Sequence, residues 1–248
     1  MPLGTSTFAE NALTLDVYGH NGTFGDNNPG TVIFASALTG RDGVLVTNSQ
    51  ATAGTLFMQG YISTYSGVIT IDNALTTLNI VSAAVGSLNS FAFNTGGTLV
   101  AGVNQPANNQ IIGPIILNDN NVTDIIDADG SVIGDPLGLG GSITNANAKT
   151  TLLLRNGAFD LTSTNNSNAF SAGTLQIGDG SATTTTAEFG RGGGVAELPG
   201  SNVGITLDNG VLSYIGNSSA QMVNAITLAV RIQGATGSIY GNVVRYGV

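Results

Sequence analysis

The chain has 248 residues, 15 acidic against 6 basic side chains, a formal net charge of −9, 36 glycines and no cysteine. So few cations argue against nucleic-acid binding and against attraction to anionic membrane surfaces, while the lack of cysteine excludes disulfides, thiolate metal sites and thiol nucleophiles. With 42% hydrophobic and only 8% charged residues the composition is the reverse of a disordered chain, so one folded β-rich domain over residues 1–248 is expected.

In chain order, Met1-Pro2-Leu3-Gly4-Thr5-Ser6 has neither the basic segment nor the apolar run of a signal peptide. β-branched residues then alternate with polar ones in runs of four to seven, bounded by Gly, Asn, Asp and Pro, which is strand rather than helix patterning. The strands expected are Ala12–Val17, Thr31–Phe34, Val44–Thr47, Thr55–Met58, Val68–Ile71, Thr77–Val81, Ser90–Phe93 and Thr98–Ala101. Further along they are Ile115–Leu117, Thr151–Leu154, Thr174–Ile177, Gly204–Leu207, Val211–Ile215, Ala225–Val230 and Val243–Tyr246. The run Ile111 to Leu117 is interrupted by Gly113 and Pro114, and no run approaches the roughly 18 apolar residues of a membrane helix. No transmembrane helix is expected.

A glycine followed by a small or β-branched residue and an aliphatic recurs at Gly43-Val44-Leu45, Gly54-Thr55-Leu56, Gly67-Val68-Ile69, Gly97-Thr98-Leu99, Gly173-Thr174-Leu175 and Gly210-Val211-Leu212. Glycine permits a tight corner and the residues after it resume extended geometry. This degenerate repetition is that of a solenoid, whose coils bury their apolar faces only by stacking.

The segment Gly54 to Ile80, with Tyr65-Ser66-Gly67 at a corner and Val68-Ile69-Thr70-Ile71-Asp72-Asn73 after it, resembles the autotransporter-associated β-strand repeat. Ser171 to Gly180 and Leu207 to Ser213 are weaker matches. The sequence departs from the repeat at Ala74-Leu75-Thr76, where the family has a glycine before the next Thr-Leu, and in lacking an Asn before Tyr65. The resemblance implies a right-handed parallel β-helix in the exported passenger region of a bacterial surface protein. Short strands with glycine corners also suit an antiparallel sandwich of the jelly-roll type, in which Thr5–Val17 is the candidate donor strand for a neighbouring subunit.

Two stretches interrupt the pattern and are expected as loops or insertions, 118–148, rich in Asp, Asn and Gly, and 183–200, with Gly190-Arg191-Gly192-Gly193-Gly194. The first carries Asp119, Asp124, Asp127, Asp129 and Asp135. Asp124, Asp127 and Asp129 are the candidate ligands for calcium, a hard cation that takes six to eight oxygens. Yet position 125 is Ile and no glutamate closes the loop, so an ordinary acidic turn is the competing reading. Paired carboxylates also serve glycoside hydrolysis, but sugar-binding tryptophan is absent and cations are few. His20, the single histidine, sits in a Gly-His-Asn-Gly turn, and Gly190–Gly194 lacks the order of a phosphate loop. Asn21, Asn121, Asn165 and Asn217 open Asn-x-Ser/Thr tripeptides of the kind expected by chance in so Asn- and Thr-rich a chain.

These features lead to the expectation of a non-enzymatic extracellular or cell-surface structural protein without a cofactor: a β-helical stalk or a subunit that self-associates into a homopolymer or oligomer. The alternative is an adhesin that binds surface glycans through its loops, and a polysaccharide-degrading or tailspike-like depolymerase ranks third.

Overall fold

The computed structural model describes residues 13–17, 31–35, 37–60, 62, 65–80, 90–101, 110–111, 113–119, 121–132, 135–145, 149–161, 173–189, 202–214, 226–228, 232–233, 238–239 and 243–246. The first coils alternate between two sheets: β1 (Leu13–Asp16) and β2 (Thr31–Phe34), β3 (Val44–Thr47) and β4 (Gly54–Met58), β5 (Val68–Ile71) and β6 (Thr76–Ile80), β7 (Ser90–Phe93) and β8 (Gly97–Ala101). The middle coils add a third sheet, through β9 (Gln110–Ile111), β10 (Ile115–Leu117), β11 (Thr123–Asp127), β12 (Leu137–Leu139), β13 (Ile143–Asn145), β14 (Thr151–Arg155) and β15 (Ala158–Asp160). The last coils use β16 (Gly173–Ile177), β17 (Thr185–Phe189), β18 (Val203–Leu207), β19 (Gly210–Tyr214), β20 (Ile226–Leu228), a small hairpin β21 (Ile232–Gln233) and β22 (Ser238–Ile239), and β23 (Val243–Tyr246).

The strands stack as a parallel β-solenoid. The first sheet runs β1-β3-β5-β7-β10-β13, the second β2-β4-β6-β8-β11-β14-β16-β18-β20, and the third β9-β12-β15-β17-β19-β23. Every pairing in these three sheets is parallel, and β21 with β22 is the antiparallel strand pair among the described residues. The antiparallel sandwich is thereby corrected. The N-terminal candidate donor is corrected with it, since Leu13–Asp16 is already paired in register with Val44–Thr47 of its own chain.

Register follows from one-sided burial. The strands β4, β6 and β18 alternate buried and half-buried residues, and a slip of one residue would expose every aliphatic side chain. The second sheet accordingly carries an unbroken aliphatic column, Val32, Leu56, Leu78, Leu99, Ile126, Leu154, Ile177, Leu207 and Leu228. Each fully buried member contributes about 1.5–3 kcal/mol. One position outward, Thr31, Thr55, Thr77 and Thr98 form a threonine column on the opposite side of the same strands.

The repeat glycines mark where coils touch. A side chain at Gly54, Gly67, Gly97, Gly173 or Gly210 would collide with a backbone carbonyl or side chain of the preceding coil, whereas one at Gly43 would meet nothing closer than the Val68 carbonyl at 3.9 Å. The stretch 118–148, expected as a loop, supplies β11, β12 and β13 to the three sheets. Aspartate at positions 124 and 127 hid β11, because acidic residues are depleted in strands. In the second expected loop Thr185–Phe189 is β17, while residues 190–200 lie outside the described residues.

Candidate functional site

Strand alternation decides what the acidic segment does. Asp124 and Asp127 are three residues apart on β11, so they project to opposite faces. Asp124 points inward and is 0% exposed, whereas Asp127 lies on the outer side at the next corner. There Arg155 Nε donates to Asp127 Oδ2 at 2.9 Å, and Asn156 Nδ2 and the Asp129 amide each donate to Asp127 Oδ1 at 2.9 Å. Asp129 itself is exposed, in left-handed geometry with φ 48°. Partial desolvation and the Asp127 charge raise its carboxyl above the usual range. The three candidate calcium ligands Asp124, Asp127 and Asp129 therefore do not converge, and no group of three or more such side chains is placed to hold a metal among the described residues. Asp135 is exposed in a turn closed by its amide on the Val132 carbonyl at 2.8 Å.

Asp119, on the corner before β11, is brought to Asp124 instead. Its Oδ2 accepts the Gly96 amide at 3.0 Å from the preceding coil, and the Thr150 hydroxyl of the following coil donates to its carbonyl at 2.5 Å and lies 3.3 Å from Oδ1. Asp119 thus ties three coils together. The Asp124 oxygens receive no hydrogen bond from any donor. Burial first, then the neighbouring Asp119 carboxyl, pushes the Asp124 carboxyl up to about 9.

The same corner is polar in the earlier coils. The Ser49 amide donates to Asp16 Oδ1 at 3.0 Å, Asn73 Nδ2 to the Asn48 carbonyl at 2.9 Å, and Thr95 Oγ1 to Asp72 Oδ1 at 2.7 Å. Each bond joins one coil to the next, satisfying polar groups that the turn withdraws from the ladders. The notable Tyr65-Ser66-Gly67 corner is built differently. Buried Tyr65 donates its hydroxyl to the Asp42 carbonyl of the preceding coil and lies 3.3 Å from the Val68 carbonyl. Burial, with the Asp42 charge adding to it, pushes its phenol up to about 12.

Sequence reasoning passed over Asp160 and Glu188, which stand in register on adjacent strands of the third sheet. Both engage other groups, and Glu188 is buried. Neither strand was expected, so no pattern in the sequence singled these two carboxyls out. His20, Asn21, Asn165, Asn217 and Gly190–Gly194 lie outside the described residues, while Asn121 is exposed at a corner with φ 62°. Among the described residues no helix is long and apolar enough to cross a membrane. In comparisons with known proteins, no family model, no curated protein and no solved structure matches this chain.

Proposed function

We propose that this chain is a non-catalytic structural protein of the cell exterior, a β-helical stalk or self-assembling fibre subunit, akin to the autotransporter-associated repeat passengers of bacterial surfaces. The observation that carries the reading is the outer strand of the second sheet. β2, Thr31–Phe34, pairs with β4 on one side and, among the described residues, is the end of the sheet on the other. Its Val32 and Ile33 are 36% and 59% exposed. Val32 begins the aliphatic column that ends at Leu228 on β20, and Thr31 occupies the same register position as Thr227. A second copy stacking β20 on β2 would place Thr227 against Thr31 and Leu228 against Val32, extending both columns. Neither Lys nor Pro blunts the Thr-Val-Ile-Phe edge, the devices that ordinarily block such pairing.

The stack of nine strands in the second sheet gives a wall about 40 Å long at ~4.8 Å per strand, a suitable length for a rod segment. A stalk is preferred to a glycan-binding display because 118–148 builds wall rather than a protruding loop. Electron microscopy and sedimentation of the purified chain test the reading. Fibres or stacked oligomers that are lost in Ile33→Lys are expected. Monodisperse single particles at high concentration would remove the fibre version.

A further inference from the structure

The buried carboxyls Asp119 and Asp124 do not take part in the proposed stacking and need an explanation of their own. In the second sheet the inward position filled by Gly54, Thr76 and Gly97 in early coils, and by Leu152, Leu175 and Ile205 in later ones, is occupied by Asp124 in β11. Neither Gly97 on one side nor Leu152 on the other offers it a side-chain donor. Asp119 is the neighbouring hydrogen-bonding group, and it too is an acceptor when ionised. A bond between the two exists only if one of them keeps a proton. Asp119 Oδ2 already receives the Gly96 amide at 3.0 Å. Asp124 is fully enclosed and its oxygens have no other donor, so the proton resides on Asp124.

We propose that Asp119 and Asp124 form a proton-linked clasp that fastens β8, β11 and β14 in the middle of the solenoid, tightening the wall in acid and loosening it as the shared proton is lost.

The place in the fold gives the clasp its leverage. It lies in the coils where the third sheet begins and the first approaches its end, so the second sheet is the wall common to both halves. Other charged groups on the packed elements are turned elsewhere: Asp127 and Arg155 pair on the outer face, and Lys149 is exposed beside Thr150. No titratable residue stands on β8. A hard cation is a poorer occupant than a proton. The oxygens gathered here are those of two carboxyls, one hydroxyl and one carbonyl, and one carboxylate oxygen is taken by an amide, short of the six to eight that calcium takes.

The direction of the pH effect follows from linkage. The folded chain holds a proton that the unfolded chain releases above about pH 4. The clasp is at full strength below that pH, weakens as pH rises, and reaches its floor above about 9. Two measurements on the full chain test it. Urea unfolding between pH 5 and 9 is expected to show a wild-type unfolding constant rising by up to tenfold per pH unit relative to Asp124→Asn, with the variant the more stable at pH 8. Infrared spectra of the wild type, which need no variant to fold, are expected to show a protonated-carboxyl band at pH 7 that disappears above pH 9. Absence of that band at pH 7, or parallel pH profiles for wild type and variant, overturns the clasp. Loss of the band on adding calcium, with a rise in stability, overturns it in favour of a cation site.

Discussion

Gly43 and Gly54 open the two strands of one coil with the same kind of motif, Gly-Val-Leu and Gly-Thr-Leu, yet replacing each by alanine should have opposite effects. A Cβ on Gly54 would lie 2.7 Å from the Val17 carbonyl oxygen and 2.8 Å from Val17 Cγ1, about 0.7 Å inside the 3.4 Å at which ordinary contact begins. Neither neighbour can retreat freely. Val17 is held by its amide on the Thr47 carbonyl at 2.7 Å, and Gly54 by its own amide on the Leu75 carbonyl at 2.9 Å. Overpacking of this kind costs about 1–3 kcal/mol, and weakening one coil-to-coil hydrogen bond adds about 1 kcal/mol. The sum, about 2–4 kcal/mol, corresponds to a fall in Tm of roughly 5–15 °C for a chain of this size. A Cβ on Gly43 meets nothing closer than the Val68 carbonyl at 3.9 Å, so Gly43→Ala should be neutral or stabilise by about 0.4–1 kcal/mol through the unfolded chain. Thermal melts followed by far-UV circular dichroism compare the two directly. If they melt together, or if Gly54→Ala is the more stable, the account of the repeat glycines as coil contacts is wrong.

Tyr65→Phe removes the hydroxyl that reaches the Asp42 carbonyl, and should cost about 1–2 kcal/mol in urea unfolding. In the wild type the absorbance of ionised tyrosine should show a step near pH 12 that this variant lacks. Because the folded-state value is raised, the stability it supplies is complete below the ordinary tyrosine range near 10 and is lost as pH rises through about 12. Arg155→Ala breaks the 2.9 Å pair with Asp127, whose arginine side chain is 33% exposed. A cost of about 0.5–1 kcal/mol is expected, shrinking in 1 M salt. Asp179 should titrate higher in that variant, because Arg155 joins the Ser181 hydrogen bonds in holding its carboxyl low against the opposing effect of burial. A Ser181-only effect would leave the Asp179 titration unmoved.

Much of the wall was legible residue by residue. Val44–Thr47, Val68–Ile71, Ser90–Phe93 and Ile115–Leu117 have the bounds expected from alternation, since a strand buried on one face must repeat its apolar residues every second position. β11 and β17 escaped because Thr-Asp-Ile-Ile-Asp and Thr-Thr-Ala-Glu-Phe put acids where strand formers are usual. The candidate site was misread for a related reason. Proximity in sequence suggested that Asp124, Asp127 and Asp129 gather, but a strand sends residues at odd spacing to opposite faces, and the partner of Asp124 is Asp119 across the corner.

By itself the sequence determined that this chain is built of short, one-faced strands turned at glycine and Asn/Asp corners, because that pattern is local and each strand must hide its own aliphatic residues. Only the tertiary structure decided that the strands pair in parallel, that Gly54 is crowded by the preceding coil where Gly43 is not, and that Asp124 is fully enclosed while Asp129 and Asp135 stay exposed. Those outcomes depend on which carbonyl or carboxyl of the neighbouring coil comes within a few ångströms, a distance set by stacking between residues some 20–30 positions apart.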